Sequence, residues 1–152
     1  SAASDVYKRQ EKEERDKKMI EYKELRNDID RYLMERFKYS KSLVYLTVDN
    51  IIATRRNSRI DLYLRIRRVE SRFPPDCLII ARLGFSKERI GHGTHFLRFL
   101  TEVARKYSFN YIGIECANIK SSAFANKLGF YSINDENYAI AVTTLISYSP
   151  ME

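Results

Sequence analysis

The chain has 152 residues, 44% of them apolar and 31% charged, which is enough for one domain with a core. It has no apolar run of about 18 residues, which excludes a helical membrane span, and only two cysteines, which exclude a disulfide framework or a four-cysteine zinc site. The net charge of +7 favours acidic partners (coenzyme phosphates, nucleic acid or an acidic protein surface) without choosing between them. A reducing cytoplasm is the economical location.

Residues 1–18 form a polar extension dense in Lys, Arg and Glu, with no face to bury and no stretch that reads as a secretory leader. The string SDVYKRQ, Ser4 to Gln10, resembles a translated sequencing adapter, so the first ten residues are expected to be foreign to the fold. The folded domain is expected over 19–152. Met19, Tyr22, Leu25, Ile29, Leu33 and Phe37 recur at spacings of three and four, which predicts one face of a helix ending near Ser40. An amphipathic helix with so long a polar extension can pair with a copy of itself, so a homodimer is one expectation.

Leu43–Val48 reads as a short strand, and Ile60–Val69 as an alternating one with Leu62, Leu64 and Ile66 on one side and Tyr63, Arg65 and Arg67 on the other. Phe73-Pro74-Pro75-Asp76 breaks the chain. Cys77–Leu83 then reads as a central strand covered on both faces. Phe96, Leu97, Leu100, Val103, Ala104 and Tyr107 form the stripe of a second helix, followed by a strand over Tyr111–Cys116. Ser121 is expected to cap a short helix in which Phe124 and Leu128 are i, i+4 partners and Gly129 takes the C′ position. A last strand, or two, is expected over Tyr138–Ser147. This order predicts an α/β, mixed sheet with helices on both sides.

All five glycines lie between residues 84 and 129. The stretch from Lys87 to Thr94 connects a predicted strand to a predicted helix. Its glycines let several backbone N–H groups converge, and a helix start adds unpaired N–H groups and a positive dipole end, which suits a pyrophosphate. A Rossmann fingerprint fails because its third glycine would fall at His95 or Phe96, and a Walker loop fails for want of Gly-Lys-Ser/Thr.

From Arg89 through Phe130 the chain resembles the coenzyme-binding core of the GNAT superfamily of acyl-CoA N-acyltransferases. Gly91 and Gly93 match the two glycines of that family's turn, while Glu88 stands where a basic residue is usual, with Arg89 just after it. The helix, strand, Asn118, short helix and closing Leu128-Gly129-Phe130 follow in the family's order. The resemblance implies a largely antiparallel mixed sheet, splayed where the coenzyme enters, with the charged N-terminal helix as an addition. It also implies acetyl-CoA as co-substrate, an amine-bearing acceptor (small molecule or protein), and no metal.

Leu83, Gly84 and Phe85 would border the pantetheine arm. Arg89, Ile90, Gly91, His92, Gly93 and Thr94 would hold the pyrophosphate, and Asn118, Ser121 and Phe124 the rest of the coenzyme. Glu115 is the first candidate general base, since a lysine-like amine is neutral in only about one molecule in a few thousand at pH 7. Its competing role is a strand-end partner for an arginine. The family's usual thiolate-protonating tyrosine is replaced by Ala125, which leaves Tyr131 or Tyr138 as substitutes.

Arg55, Arg56, Arg59, Arg65, Arg67, Arg68 and Arg72 crowd one strand and its approach. A solvated face, a docking surface for an acidic protein and a nucleic-acid surface all fit that composition, the last being the less favoured. The alternative to an active transferase is a GNAT-shaped binding module using this arginine-rich strand.

Overall fold

The computed structural model describes residues 1–54, 60–85, 91–115 and 119–146. The first helix, α1 (Ala2–Phe37), opens on Ser1, whose hydroxyl accepts from the Ser4 N–H, and ends where Lys38 turns left-handed at φ 59°. Its residues up to Ile20 are all exposed. Leu25, Ile29 and Leu33, spaced by one helical turn, are buried as the pattern predicts, with Tyr22 and Phe37 packed beside them; Met19 is 40% exposed and lies outside that face. Buried Asp30 accepts from the N–H groups of Leu43 and Val44 at 3.0 and 3.3 Å, which fixes the helix to the first strand.

The strands are β1 (Val44–Leu46), β2 (Asn50–Thr54), β3 (Ile60–Arg67), β4 (Cys77–Phe85), β5 (Tyr111–Ile114), β6 (Tyr131–Ser132) and β7 (Tyr138–Ala141). They form one sheet in the order β1-β2-β3-β4-β5-β7-β6, antiparallel except where β4 lies parallel to β5. The helix α2 (His92–Lys106) connects that parallel pair, and α3 (Ile119–Lys127) follows β5. The mixed, largely antiparallel sheet and the charged N-terminal helix agree with the sequence expectation. Several details differ: β2 and β6 were not anticipated, β1 is shorter than Leu43–Val48, and residues 142–146 form a helix, α4 (Val142–Ile146), where a strand was expected. Val142 and Leu145 are buried, so packing overrides the strand preference of the β-branched run.

One core cluster holds the buried side chains of all four helices together with Leu62, Leu64, Ile66, Leu78, Ile80 and Ile112 from the sheet. The opposite face carries a smaller cluster, Phe73, Cys77 and Ile79, against which Tyr111 and Ile133 pack rather than a helix. Burial pushes the Cys77 thiol up to about 12, as expected of a small core residue.

β4 carries one residue more than β3 midway along the pair. Tyr63 stands opposite Arg82 and Leu64 opposite Ile80, which leaves Ala81 over. Such a bulge bends its strand and increases the local twist.

Candidate active site

The parallel ladder between β4 and β5 runs from Cys77/Tyr111 to Ile80/Ile114, and the Glu115 N–H donates to the Ile80 carbonyl at 3.0 Å. Beyond that bond β4 continues to Phe85, paired among the described residues with β3 alone, Leu62 facing Leu83, Asp61 facing Gly84 and Ile60 facing Phe85. Among the described residues the β4–β5 pairing therefore ends just before the Ala81 bulge, and Leu83, Gly84 and Phe85 lie beyond its end.

The start of α2 stands at the end of β4. Gly91 is its N-cap, at φ 73° and ψ 22°, with no side-chain cap. The first bond of the helix is from the His95 N–H to the Gly91 carbonyl, 3.0 Å, so the N–H groups of the first turn lie ahead of the ladder. Among the described residues, a Cβ built on Gly91 would meet nothing within 4 Å, and one on Gly93 would meet only Phe124 Cζ, at 4.0 Å. Open space over two glycines at a helix start, with α3 supplying Phe124 alongside, fits a phosphate-bearing ligand. Thr94 is half-buried in that first turn.

An aromatic cluster fixes this turn against α1. Phe37 stacks on Phe85 at 5.3 Å between centroids, His92 lies 4.8 Å from Phe37 and 5.8 Å from Phe85, and Tyr32 stacks on Phe99 at 4.1 Å. Each such pair adds about 0.5–1.5 kcal/mol beyond area burial. The buried His92 ring thus packs among aromatics instead of facing outward, and its contribution to an anion would come from its backbone. Tyr32 Oη and His95 Nδ1 are 2.7 Å apart. Among the described residues no group of three His, Cys, Asp or Glu is placed to hold a metal ion.

Ser121 lies inside α3, which begins at Ile119, and so does not cap it. The far end of α3 follows the sequence closely. Gly129, at φ 85°, donates to Asn126, and Phe130 donates to Ala125 at 3.0 Å, the paired bonds of a Schellman motif. Arg89, Ile90 and Asn118 lie outside the described residues, as do Glu88, Cys116, Arg55, Arg56 and Arg59.

Glu115 follows the end of the β4–β5 ladder, on the sheet face away from the helices. Its Oε2 accepts from Arg65 Nε at 3.0 Å, and its Oε1 has no partner among the described residues. Burial alone would lower the Arg65 pKa, but the bond to Glu115 and its charge outweigh it and hold the guanidinium above its ordinary value. The tyrosines separate. Tyr138 is buried and pairs with Ile114, the last residue of the β4–β5 ladder. Tyr131 is exposed on the edge strand, opposite Ala139, which in turn pairs with Gly113; burial, then Tyr111 and Cys77, raises its pKa. Ala125 is 0% exposed and offers no polar group.

The arginines of β3 and its sequel are largely compensated. Arg67 pairs with Asp49 at 2.8 Å, and Arg68 pairs with Glu21 and Asp76 and lies 3.9 Å above the Phe109 ring. Arg65 and Arg82 both approach the Tyr63 ring, at 4.8 and 5.7 Å, so that ring is already occupied by cations. Sequence reasoning missed what lies between them, a cavity of about 340 Å³ on this face lined by residues that include Arg65, Arg67, Arg72, Phe73, Glu115 and Asn137. No local motif announces it, because its walls come from β3, the 71–73 turn, β5 and the approach to β7.

Comparison with solved structures gives fold-level similarity. A GNAT-family acetyltransferase from Staphylococcus aureus Mu50 is 11% identical, with 61% of this chain and 67% of that one covered at a TM-score of 0.44. One from Listeria monocytogenes 4b F2365 is 14% identical, covering 80% and 88% at a TM-score of 0.40. AtaTR bound with acetyl-CoA is 16% identical, covering 74% of each chain at a TM-score of 0.44. No family model matches the sequence, and no curated protein matches it. No helix among the described residues is long and apolar enough to cross a membrane.

Proposed function

We propose that the chain transfers an acetyl group from acetyl-CoA to a primary amine by direct attack, both substrates being bound together. The observation that carries this reading is the end of the β4–β5 pairing, where β4 runs on past its last described bond to β5 and ends beside the glycine start of α2. A pantetheine arm can hydrogen-bond there as an added strand, and the first-turn N–H groups of α2 can receive its pyrophosphate. Acetyl-CoA, when bound, supplies an acetyl group activated as a thioester. Glu115 takes a proton from the acceptor's ammonium, directly or through water, through the oxygen that Arg65 leaves open. N–H groups at the end of β4 stabilise the negative charge that develops on the carbonyl oxygen. Tyr138, opposite Ile114 at the end of the ladder, is the candidate to give a proton to the departing sulfur.

A second reading, a binding module with little or no turnover, has one observation in its favour. The position where the resemblance expects a tyrosine is Ala125, wholly buried and without a hydroxyl.

Isothermal titration of the native protein with acetyl-CoA, repeated on Gly93→Asp, tests the proposal. The variant has room for its Cβ and keeps a helical φ, so it folds, but places a carboxylate in the phosphate site. Micromolar binding that is lost in the variant supports the reading. Absence of binding by the native protein overturns it. Binding without acetylation of any amine selects the second reading.

A further inference from the structure

The cavity beside Glu115 has a chemistry that the coenzyme does not use. Its size, about 340 Å³, is that of a small-molecule site. Three guanidinium groups, Arg65, Arg67 and Arg72, line it with a single carboxylate, Glu115. Arg65 is neutralised by Glu115 and Arg67 by Asp49, whereas Arg72 makes no ion pair with any described residue. The wall thus keeps one uncompensated positive charge, joined by Asn137, which is 3% exposed. Phe73 supplies an apolar surface.

Two of its lining groups lie apart along the strands. Glu115 is level with Ile80, to whose carbonyl its N–H donates. Arg67 stands opposite Cys77 in the β3–β4 register. Cys77 and Ile80 are three positions apart, roughly 10 Å. A molecule lying along this line would present one end to a carboxylate and its other end to guanidinium groups.

From this geometry we infer that the cavity is the acceptor site, and that the acceptor is a small amine carrying an anionic group, a carboxylate or a phosphate, within about 10 Å of its nitrogen. The amine end lies at Glu115 and the anion at Arg72 and Arg67, where paired guanidinium donors suit either oxyanion. The word acceptor rests on the proposed acetyl transfer; the anion subsite itself does not.

The test is equilibrium binding without acetyl-CoA. Isothermal titrations of the native protein and of Arg72→Gln are made with 4-aminobutyrate, 6-aminohexanoate and O-phosphoethanolamine, with butylamine and inorganic phosphate as controls. Arg72 is exposed and makes no ion pair with any described residue, so the variant folds. The expected result is binding of at least one anion-bearing amine, about tenfold weaker in Arg72→Gln, as befits one charge-assisted hydrogen bond. Butylamine binds much more weakly. Carboxylate and phosphate probes, compared with each other, identify which oxyanion the site prefers. Equal binding of butylamine, no binding of any probe, or affinities unchanged by Arg72→Gln would overturn the inference. Inorganic phosphate binding as tightly as the amines would overturn the acceptor assignment, leaving a bare anion site. Because acetyl-CoA is absent, failure of the coenzyme reading leaves these outcomes intact.

Discussion

Arg65 reaches across the sheet from β3 to donate its Nε–H to Glu115 Oε2 at 3.0 Å, at the point where the ladder of β5 with β4 ends. Fifty positions of sequence separate the two. The bond gives this carboxylate a fixed orientation while its second oxygen has no partner among the described residues.

Glu115→Gln keeps the shape of this side chain and removes its basicity. Acetylation kcat/KM should fall about 10²- to 10⁴-fold at pH 7. The deficit should shrink above pH about 10, where a lysine-like amine is already neutral. Both partners are partly exposed, so the lost ion pair should cost under about 1 kcal/mol in stability. A pH–rate profile beside a urea melt checks this; activity within about twofold of native would remove Glu115 from the mechanism.

The two glycines of the turn should respond oppositely to alanine. Gly91 is left-handed, so Gly91→Ala should cost about 1–2 kcal/mol. Gly93 lies within the first turn of α2 with only Phe124 near its missing Cβ, so Gly93→Ala should be neutral or gain up to about 1 kcal/mol. Urea titrations of the two variants decide it, and a destabilised Gly93→Ala would contradict the open space described above it.

Much of this arrangement is legible in the chain itself. The stripe from Phe96 to Tyr107 announces α2 because a buried helix face repeats every three or four residues, and Gly129 marks a C′ position that needs positive φ. Asn50–Thr54 gives no such signal. It is too short for a clear alternation and follows a turn closely. Val142–Ile146 misleads because its β-branched residues favour a strand, whereas packing against α2 makes it a helix. The cavity could not be read at all, since Arg72, Glu115 and Asn137 converge only through tertiary structure.

Asp28 joins α1 to the end of α2, accepting from Lys106 Nζ at 2.8 Å and Tyr107 Oη at 2.5 Å. Burial works to raise its pKa, but the bonds from Lys106 and Tyr107 prevail and hold it below the ordinary 3.8. Its contribution is complete above pH about 3.8 and lost as pH falls through the lower folded value. Tyr107 is pushed up to about 12 by burial and then by Asp28. Its contribution is complete below pH about 10 and lost as pH rises through about 12. Melting temperatures over both limbs, compared with Asp28→Asn, should show each slope flattened in the variant; parallel curves would show that the clasp adds nothing.

Gly113 in β5 leaves no room for a side chain. A Cβ there would come within 2.7 Å of the Phe73 ring and 3.1 Å of Cys77 Sγ. Gly113→Ala should cost about 1–3 kcal/mol, and adding Phe73→Leu should recover part of it. Because Phe73 also walls the cavity, the single variant should raise the acceptor KM more than that of acetyl-CoA. Equal changes in both would place the displaced ring elsewhere.

The leftover residue at Ala81 has a consequence for how this gene can vary. Leu78 and Ile80 before it, and Leu83 and Phe85 after it, all turn toward the large core, although the two pairs fall on opposite parities of sequence number. Ala81 is the phase shift that reconciles them. Removing its codon would keep the reading frame and restore a plain alternation, with Arg82 still opposite Tyr63 and Leu83 and Phe85 still inward. What the deletion would remove is the bend and extra twist of the bulge, so an alignment of descendants should tolerate a gap here while keeping apolar letters at Leu83 and Phe85.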